Sequence, residues 1–340
     1  MIWKRRIEKL ILKLWYTKNI FSYLLLPFSF IFYLIIITRK YLYQKNIITK
    51  KTLPLPVIIV GNITVGGNGK TPLVIWLANF LKKQGYKPGI ISRGYGGKPS
   101  TNPIYVTAES DPRLVGDEPI IIAKQTHCPT AIATKRIDAA QLLLTQKNCN
   151  ILISDDGLQH YSLSRTIEIA VIDNERKMGN GFLLPAGPLR EPITRLKEID
   201  FTISLGKEIF TPIFSPSFCM QYVPEQLINI QMESTQCSIH DFKGKKIHVI
   251  AGIGNPDRFF KQLTELGLDI IAHSFPDHYP FTSNDFNFLE KDLPIIMTEK
   301  DAIKCRAFAK KEWWYLPVKT IISPEFETHL LKKLSEFSNT

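Results

Sequence analysis

Apolar residues in this chain fall into one long run near the start and many short runs after it. From Asn19 to Thr38 no residue is charged, and Phe21 to Ile37 is almost wholly apolar, broken mainly by Ser22, Pro27 and Ser29. A run of this length predicts a helix able to touch or cross a bilayer. Pro27 near its middle favours a kinked or interfacial helix over a straight span, which leaves the depth open. Basic residues flank it: Lys4, Arg5, Arg6, Lys9, Lys13 and Lys18 before, Arg39, Lys40 and Lys45 after. Trp3, Trp15, Tyr16, Tyr41 and Tyr43 lie at interfacial depths, and such flanks suit anionic headgroups. A secretory signal would carry a shorter apolar region followed by small residues, where Arg39 and Lys40 stand here. A buried core helix is the remaining alternative.

The later runs alternate between strand and helix spacing. Pro54 to Val60 predicts a buried parallel strand, followed by a glycine-rich loop and a helix from Thr71 to Lys83 closed by Gly85. Pro88 to Ser92, Thr130 to Ala133 and Ile151 to Ser154 read as strands, with helices at Glu118 to Gln125 and Ile137 to Thr145 between them. This alternation predicts a mostly parallel sheet with helices on both faces. Ile167 to Ile172 and Phe201 to Leu205 are further apolar runs, around a Gly- and Pro-rich loop, Gly179 to Pro192, long enough to suggest contact with a ligand.

The pattern weakens from Thr211 to about Lys243, then resumes at Lys246 to Ala251. There follow a Gly252 to Pro256 turn, a helix from Asp257 to Leu266 and strands at Asp269 to His273 and Pro294 to Met297. The fold expected is α/β: a P-loop NTPase-type parallel sheet domain with an N-terminal membrane helix, plus a smaller α/β second domain. The expected division is a membrane-associated helical segment at 1–45, the P-loop domain at 46–210, a linker at 211–243 and the smaller domain at 244–340.

Composition narrows the setting. A chain of 340 residues that is 44% hydrophobic can bury more than one core, and 43 basic against 31 acidic residues give a net charge of +12, which draws it toward something anionic. Neither an aromatic-and-basic nucleic-acid signature nor a repeat is present, so nucleic acid ranks below lipid headgroups or a phosphorylated substrate. Cys128, Cys149, Cys219, Cys237 and Cys305 form no C-x-x-C pair, which argues against disulfide frameworks and structural zinc and fits a reducing cytoplasm.

Chemistry concentrates in Thr64-Val65-Gly66-Gly67-Asn68-Gly69-Lys70-Thr71, placed between strand and helix as a phosphate-binding loop must be. Backbone N–H groups and the helix N-terminus would surround the phosphates of ATP. Lys70 would neutralise the β and γ phosphates and the Thr71 hydroxyl would ligate Mg2+. Thr64 stands where the general G-x-x-x-x-G-K-[ST] pattern has its first glycine. Asp155 and Asp156 end an apolar strand, a position from which carboxylates can hold magnesium or its waters, or cap the next element. Asp117 and Glu118 follow Gly116 at a probable helix start, where an ordinary cap is an equal reading. Thr298 to Asp301 reads as a capping start of another helix.

Together, Thr64 to Pro72, Arg93-Gly94-Tyr95-Gly96, Gly116 to Pro119, Asp155 to His160, Leu184 to Glu191 and Phe275 to Tyr279 resemble the tetraacyldisaccharide 4'-kinase (lipid A 4'-kinase) family. That family's loop resembles T-V-G-G-x-G-K-T-P, so the missing first glycine is shared. The resemblance implies an ATP- and magnesium-dependent transfer to the 4'-hydroxyl of an acylated disaccharide 1-phosphate, on the cytoplasmic face of the inner membrane. It implies an anionic glycolipid substrate, contact with membrane lipids and no obligate protein partner. Carried over, Asp117 is the catalytic base and His278 its dyad partner, while Glu118 and Asp156 join Thr71 around magnesium, with Asp155 close by. Pairing Asp117 with His278 would require the two domains to close over the substrates. Arg93, Tyr95, Arg136 and Arg190 are candidates to hold the acceptor's phosphate and sugar. The rival reading is a membrane-associated P-loop ATPase switch without a lipid acceptor. Loops of that class resemble K-G-G-x-G-K-T, and Val65 stands where their extra lysine would be.

Overall fold

The computed structural model describes residues 10–67, 69–98, 102–212, 214–289 and 293–338; the expectations for Trp3, Lys4, Arg5, Arg6, Lys9 and Asn68 lie outside the described residues. A nine-stranded sheet has the order β15-β8-β7-β6-β1-β5-β2-β4-β3. Its strands are β1 (Val57–Gly61), β2 (Pro88–Ser92), β3 (Ile104–Val106), β4 (Thr130–Ile132), β5 (Ile151–Asp155), β6 (Ile167–Asp173), β7 (Phe201–Leu205), β8 (Ser217–Pro224) and β15 (Val318–Ile322). Pairing is parallel throughout the interior and antiparallel at the edges, β3 on β4 and β15 on β8. Every residue of β1, β5 and β6 is buried, which is why these segments read as unbroken apolar runs: helices cover both faces.

One long apolar helix precedes this sheet, α1 (Leu26–Gln44), and three helices pack on the sheet early in the chain: α2 (Lys70–Lys83), α3 (Asp117–Thr126) and α4 (Arg136–Gln146). Helix α2 buries Leu73, Val74, Leu77, Ala78, Phe80 and Leu81, one stripe at helical spacing. Two cores result. Ile58, Val60 and Leu77 lie on one face of the sheet, and Ile59, Ile91 and Leu143 on the other.

A six-stranded sheet forms a smaller lobe in the order β10-β9-β14-β13-β11-β12. Its strands are β9 (Leu227–Asn229), β10 (Gln236–Cys237), β11 (Lys246–Ala251), β12 (Asp269–Ser274), β13 (Ile295–Thr298) and β14 (Trp313–Leu316). Helices α5 (Pro256–Glu265) and α6 (Glu299–Cys305) belong to this lobe. The strand order differs from the division expected at 211–243 and 244–340. Strand β8 inside the expected linker is part of the larger sheet, and the chain returns there through β15 and a last helix, α7 (Pro324–Ser338). The reason is non-local: Phe326, Leu330 and Leu334 recur at helical spacing and bury against Phe201 and Phe218 of β7 and β8. The lobes are joined side by side, since Pro224 pairs with Val318 in one sheet and Asn229 with Trp314 in the other.

Helix α1 is long and apolar enough to cross a membrane, and 11% of its apolar window is buried, which removes the core-helix reading. Phe28, Phe30, Ile31, Leu34 and Ile35 are exposed, while Ser29 is buried. Because α7 closes the core of the larger lobe, Phe326→Ala should destabilise the protein by about 3–5 kcal/mol in chemical denaturation. A loss below about 1 kcal/mol would mean that α7 is an accessory.

Candidate active site

Parallel strands deliver their side chains to one edge, and the change of direction between β1, β5 and β6 places the crevice there. Strand β1 ends at Gly61, and Gly69, with φ of 85°, turns the chain into α2. A Cβ at Gly69 would lie 2.3 Å from the Tyr222 hydroxyl, so the position has room for glycine alone. The loop between is held from outside: the Val65 amide donates to the Pro188 carbonyl (2.8 Å), the Arg190 amide to the Ile63 carbonyl (2.7 Å), and Thr64 bridges Leu189. Lys70 lies 3.5 Å from Asn62 Oδ1 and 3.7 Å from Asp156 Oδ1.

Asp155 closes β5 fully buried, and Ser92 donates to its Oδ2 at 3.3 Å, while among the described residues Oδ1 has no hydrogen-bond partner. Burial, followed by the neighbouring Glu118 and Asp156 charges, raises its pKa. Asp156 has φ of 48° and receives Arg190 at 3.0 and 3.1 Å. Burial opposes its ionisation, but Lys70 and Arg190 prevail and hold its carboxyl below the ordinary range.

Across the crevice, Asp117 and Glu118 open α3 after Gly116, which has φ of 86°. Their cations come from the smaller lobe. His278 Nδ1 lies 3.0 Å from Asp117 Oδ1, Lys304 lies 3.6 Å from Oδ2, and Lys300 lies 3.0 Å from Glu118 and 3.2 Å from His278 Nε2. With Lys300 charged and Asp117 ionised, these bonds are satisfied by the Nδ1–H tautomer of His278. Burial works against the Asp117 carboxylate, but the His278 hydrogen bond and the lysine charges hold its pKa at about 2. Burial likewise opposes the Lys300 charge, and Glu118, Asp117 and Asp277 more than reverse it, so its pKa is raised.

A cleft of about 690 Å³ runs between the lobes, lined by Gly67, Lys70, Thr71, Glu118, Gly254 and Lys300 among others. Its volume is that of a small-molecule site. The Gly252 to Pro256 turn meets the phosphate loop directly: a Cβ on Gly254 would fall 2.5 Å from the Gly67 amide nitrogen. Arg258 reaches back from α5 to Asp173 at the end of β6 and to Glu175, 3.0 Å away.

Of the expected residues, Gly67, Gly69, Lys70, Thr71 and Glu118 line this cleft, Asp156 lies against Lys70, and Asp117 and His278 adjoin it through Lys300, while the four acceptor candidates differ. Tyr95 is exposed and packs edge-on against the His278 ring at 4.9 Å, and Arg93 is exposed. Arg190 is engaged by Asp156. Arg136 is 3% exposed and donates to the Asp155 and Asp156 carbonyls, so it supports the acids from behind and does not face the cleft. The sequence reading missed Lys300, Lys304 and Arg258. Thr298 does cap α6, accepting from the Asp301 amide as expected, but the helix also carries two cations to the acids of the other lobe. The signal available was the cation spacing of Lys300 and Lys304, one helical turn apart.

Comparison with known proteins agrees with this geometry. A family model described as tetraacyldisaccharide-1-P 4'-kinase matches residues 21–335. The tetraacyldisaccharide 4'-kinase of Methylobacillus flagellatus is 46% identical over 322 residues, covering 94% of this chain and 94% of that protein. That of Nitrosococcus oceani is 45% identical over 329 residues, covering 97% of this chain and 95% of that protein. A crystal structure of LpxK from Aquifex aeolicus in complex with ATP superposes with a TM-score of 0.77 at 30% identity, covering 93% of this chain and 100% of that one.

Glu299, on the cleft wall, gives the site a pH dependence of stability. Burial pushes its pKa from 4.5 up to about 7, against the pull of Lys124 and Gln125. Its folded pKa is raised, so its favourable contribution is complete below about 4.5 and lost as pH rises through about 7. Glu299→Gln, neutral at every pH, should therefore gain in thermal stability relative to the parent protein between pH 5 and 8. A constant difference across that range would remove the buried-acid account.

Proposed function

The chain belongs to the tetraacyldisaccharide-1-P 4'-kinase family, and from that premise we propose how its side chains divide the work of the reaction. The protein is a kinase of lipid A biosynthesis, transferring the terminal phosphoryl group of ATP to the 4'-hydroxyl of a tetraacyldisaccharide 1-phosphate. The observation that carries the assignment of roles is the cleft lined by the phosphate loop, Glu118 and Lys300, from which Lys300 leads through His278 to Asp117.

In this reading the amides from Gly66 through Gly69 cradle the phosphates, with Asn68 in the series, Thr64 and Val65 anchor the loop to Leu189 and Pro188, and Lys70 neutralises the β and γ phosphates. The acceptor hydroxyl enters beside Asp117. Its oxygen forms the new bond to the γ phosphorus as the bond to the β-phosphate oxygen breaks, ADP leaves, and the hydroxyl proton passes to the Asp117 carboxylate. A carboxyl held at about 2 is a weak base, which suits a loose transition state in which proton transfer is late. His278 fixes the carboxylate, and Lys300 fixes His278. Tyr95, packed on His278, and the exposed Arg93 would meet the sugar and its phosphate, and Arg190 sits at Asp156.

Magnesium fits these residues. Among the described residues Asp155 Oδ1 is a buried acceptor without a hydrogen-bond partner, and Thr71 lies in the first turn of the helix that leaves the phosphate loop. Among the described residues no three His, Cys, Asp or Glu side chains converge to hold an ion alone. That is the pattern for magnesium taken up with a nucleotide, which uses one or two carboxylates together with phosphates and water. Thr71, Glu118, Asp155 and Asp156 would hold it directly or through water, and the bound ion supplies charge neutralisation at the phosphates.

Helix α1, with its exposed apolar face and the exposed Arg39 near its C-terminal end, seats the protein on the cytoplasmic face of the inner membrane, where ATP and the acylated acceptor meet. Lobe closure completes the site, because His278 and Lys300 come from the smaller lobe and Asp117 from the larger.

The test is transfer of label from γ-labelled ATP to a disaccharide 1-phosphate lipid in mixed micelles. Asp117→Ala should lower kcat by about 10²- to 10⁴-fold with the fold retained. His278→Ala should lose less, with ATP affinity kept. Unchanged turnover in Asp117→Ala removes it from the role of base, and a His278→Ala protein of normal specific activity but lower thermal stability reduces His278 to packing.

A further inference from the structure

Ser22 and Ser29 interrupt an otherwise apolar N-terminal run, and neither membrane contact nor transfer chemistry accounts for them. Both are buried, at 0% and 5% exposure. A buried hydroxyl in such a segment is costly unless its hydrogen bonds are made, so its partners show what it is for.

Ser29 Oγ donates to the Leu183 carbonyl at 2.8 Å and accepts from the Ala186 amide at 3.1 Å. Trp15 Nε1 donates to the Pro185 carbonyl at 3.0 Å. Asn180 gathers the remainder: its side-chain amide donates to the Leu14 carbonyl (3.1 Å), Ser22 Oγ (3.3 Å) and the Ala186 carbonyl (2.8 Å), and its backbone amide donates to Trp15 (2.8 Å). Gly179, at φ of 58°, allows the approach, since a Cβ there would fall 2.6 Å from the Trp15 carbonyl. These bonds all end on one edge of the 180–190 loop. The other edge of the same loop holds the phosphate loop, through Pro188 to Val65, Leu189 to Thr64 and Arg190 to Ile63, and then continues through the Arg190 side chain to Asp156.

We propose that Ser29, Asn180 and Trp15 are positioning residues for the nucleotide site: they clamp the 180–190 loop between the membrane-seated helices and the phosphate loop, so that seating of the N-terminal segment fixes the loop that receives ATP. The inference rests on the phosphate-loop reading of residues 64–71. The phosphate loop and its approach are bonded to residues 188–190 of a strap whose far side is anchored on the N-terminal segment. Loss of the Ser29 hydroxyl leaves the buried Ala186 amide without the acceptor it has here and leaves the Leu183 carbonyl with the Gly187 amide alone, and the strap must shift to compensate.

The experiment is steady-state kinetics of the full chain in mixed micelles, varying ATP and acceptor separately, with a thermal midpoint for each variant. Ser29→Ala should raise the KM for ATP by roughly threefold to tenfold, with the KM for the acceptor lipid unchanged. Ser29→Thr, which keeps the hydroxyl, should restore the parent KM. Trp15→Phe removes one bond to the same loop while keeping an aromatic ring, so it tests the claim in a protein that folds, and should shift the KM for ATP in the same direction by a smaller factor. An unchanged KM for ATP in both Ser29→Ala and Trp15→Phe overturns the inference, as does a lower kcat at parent KM, the mark of a merely smaller folded fraction. Lys70→Ala separates the two readings: if it binds ATP as the parent does, the phosphate-loop assignment itself fails.

Discussion

Two carboxylates at the start of a helix in one lobe are neutralised by cations that only the other lobe supplies. Asp117 and Glu118 would repel one another and any incoming phosphate if left alone, and helix polarity relieves that only in part. His278, Lys300 and Lys304 meet them across the cleft. The charge balance of the site therefore exists only when the lobes lie together. Gly67 and Gly254 permit this, because side chains at either position would hold the phosphate loop and the turn apart.

This constraint orders the other features. The end of β5 places Asp155 and Asp156 beside Lys70, and β6 places Asp173 where Arg258 of the smaller lobe grips it. Asp156 and Asp173 are thus answered by cations, one local and one imported. Asp155 has no such ion pair among the described residues, and its Oδ1, a buried acceptor without a hydrogen-bond partner there, is a natural point for a cation brought by the nucleotide.

The elements built from local pattern were legible in the sequence. Pro88–Ser92, Phe201–Leu205 and Lys246–Ala251 end where the apolar runs end, and α2 begins one residue before its expected start at Thr71. The phosphate loop and the acid pairs were legible because glycines and carboxylates at strand ends have few other uses. Strand β8 was not legible: its alternation of buried and exposed positions is that of a strand near a sheet edge, and its burial depends on α7, more than a hundred residues later. Arg136 shows the converse limit. Guanidinium chemistry suits a phosphate as well as it suits a carbonyl, and only the position behind β5 decides between them.

The side-by-side junction at Pro224 and Val318 makes the smaller lobe an excursion inserted between two neighbouring strands of the larger sheet. A ribosome delivers β1 through β8 first, then the whole excursion, and only afterwards β15 and α7. The Phe201 and Phe218 surface lacks its α7 cover until that helix has emerged, so the nascent larger lobe presents a sticky face throughout synthesis of its companion. Because the apolar helix α1 emerges near the beginning of synthesis, the bilayer can engage the nascent chain long before that face is sealed.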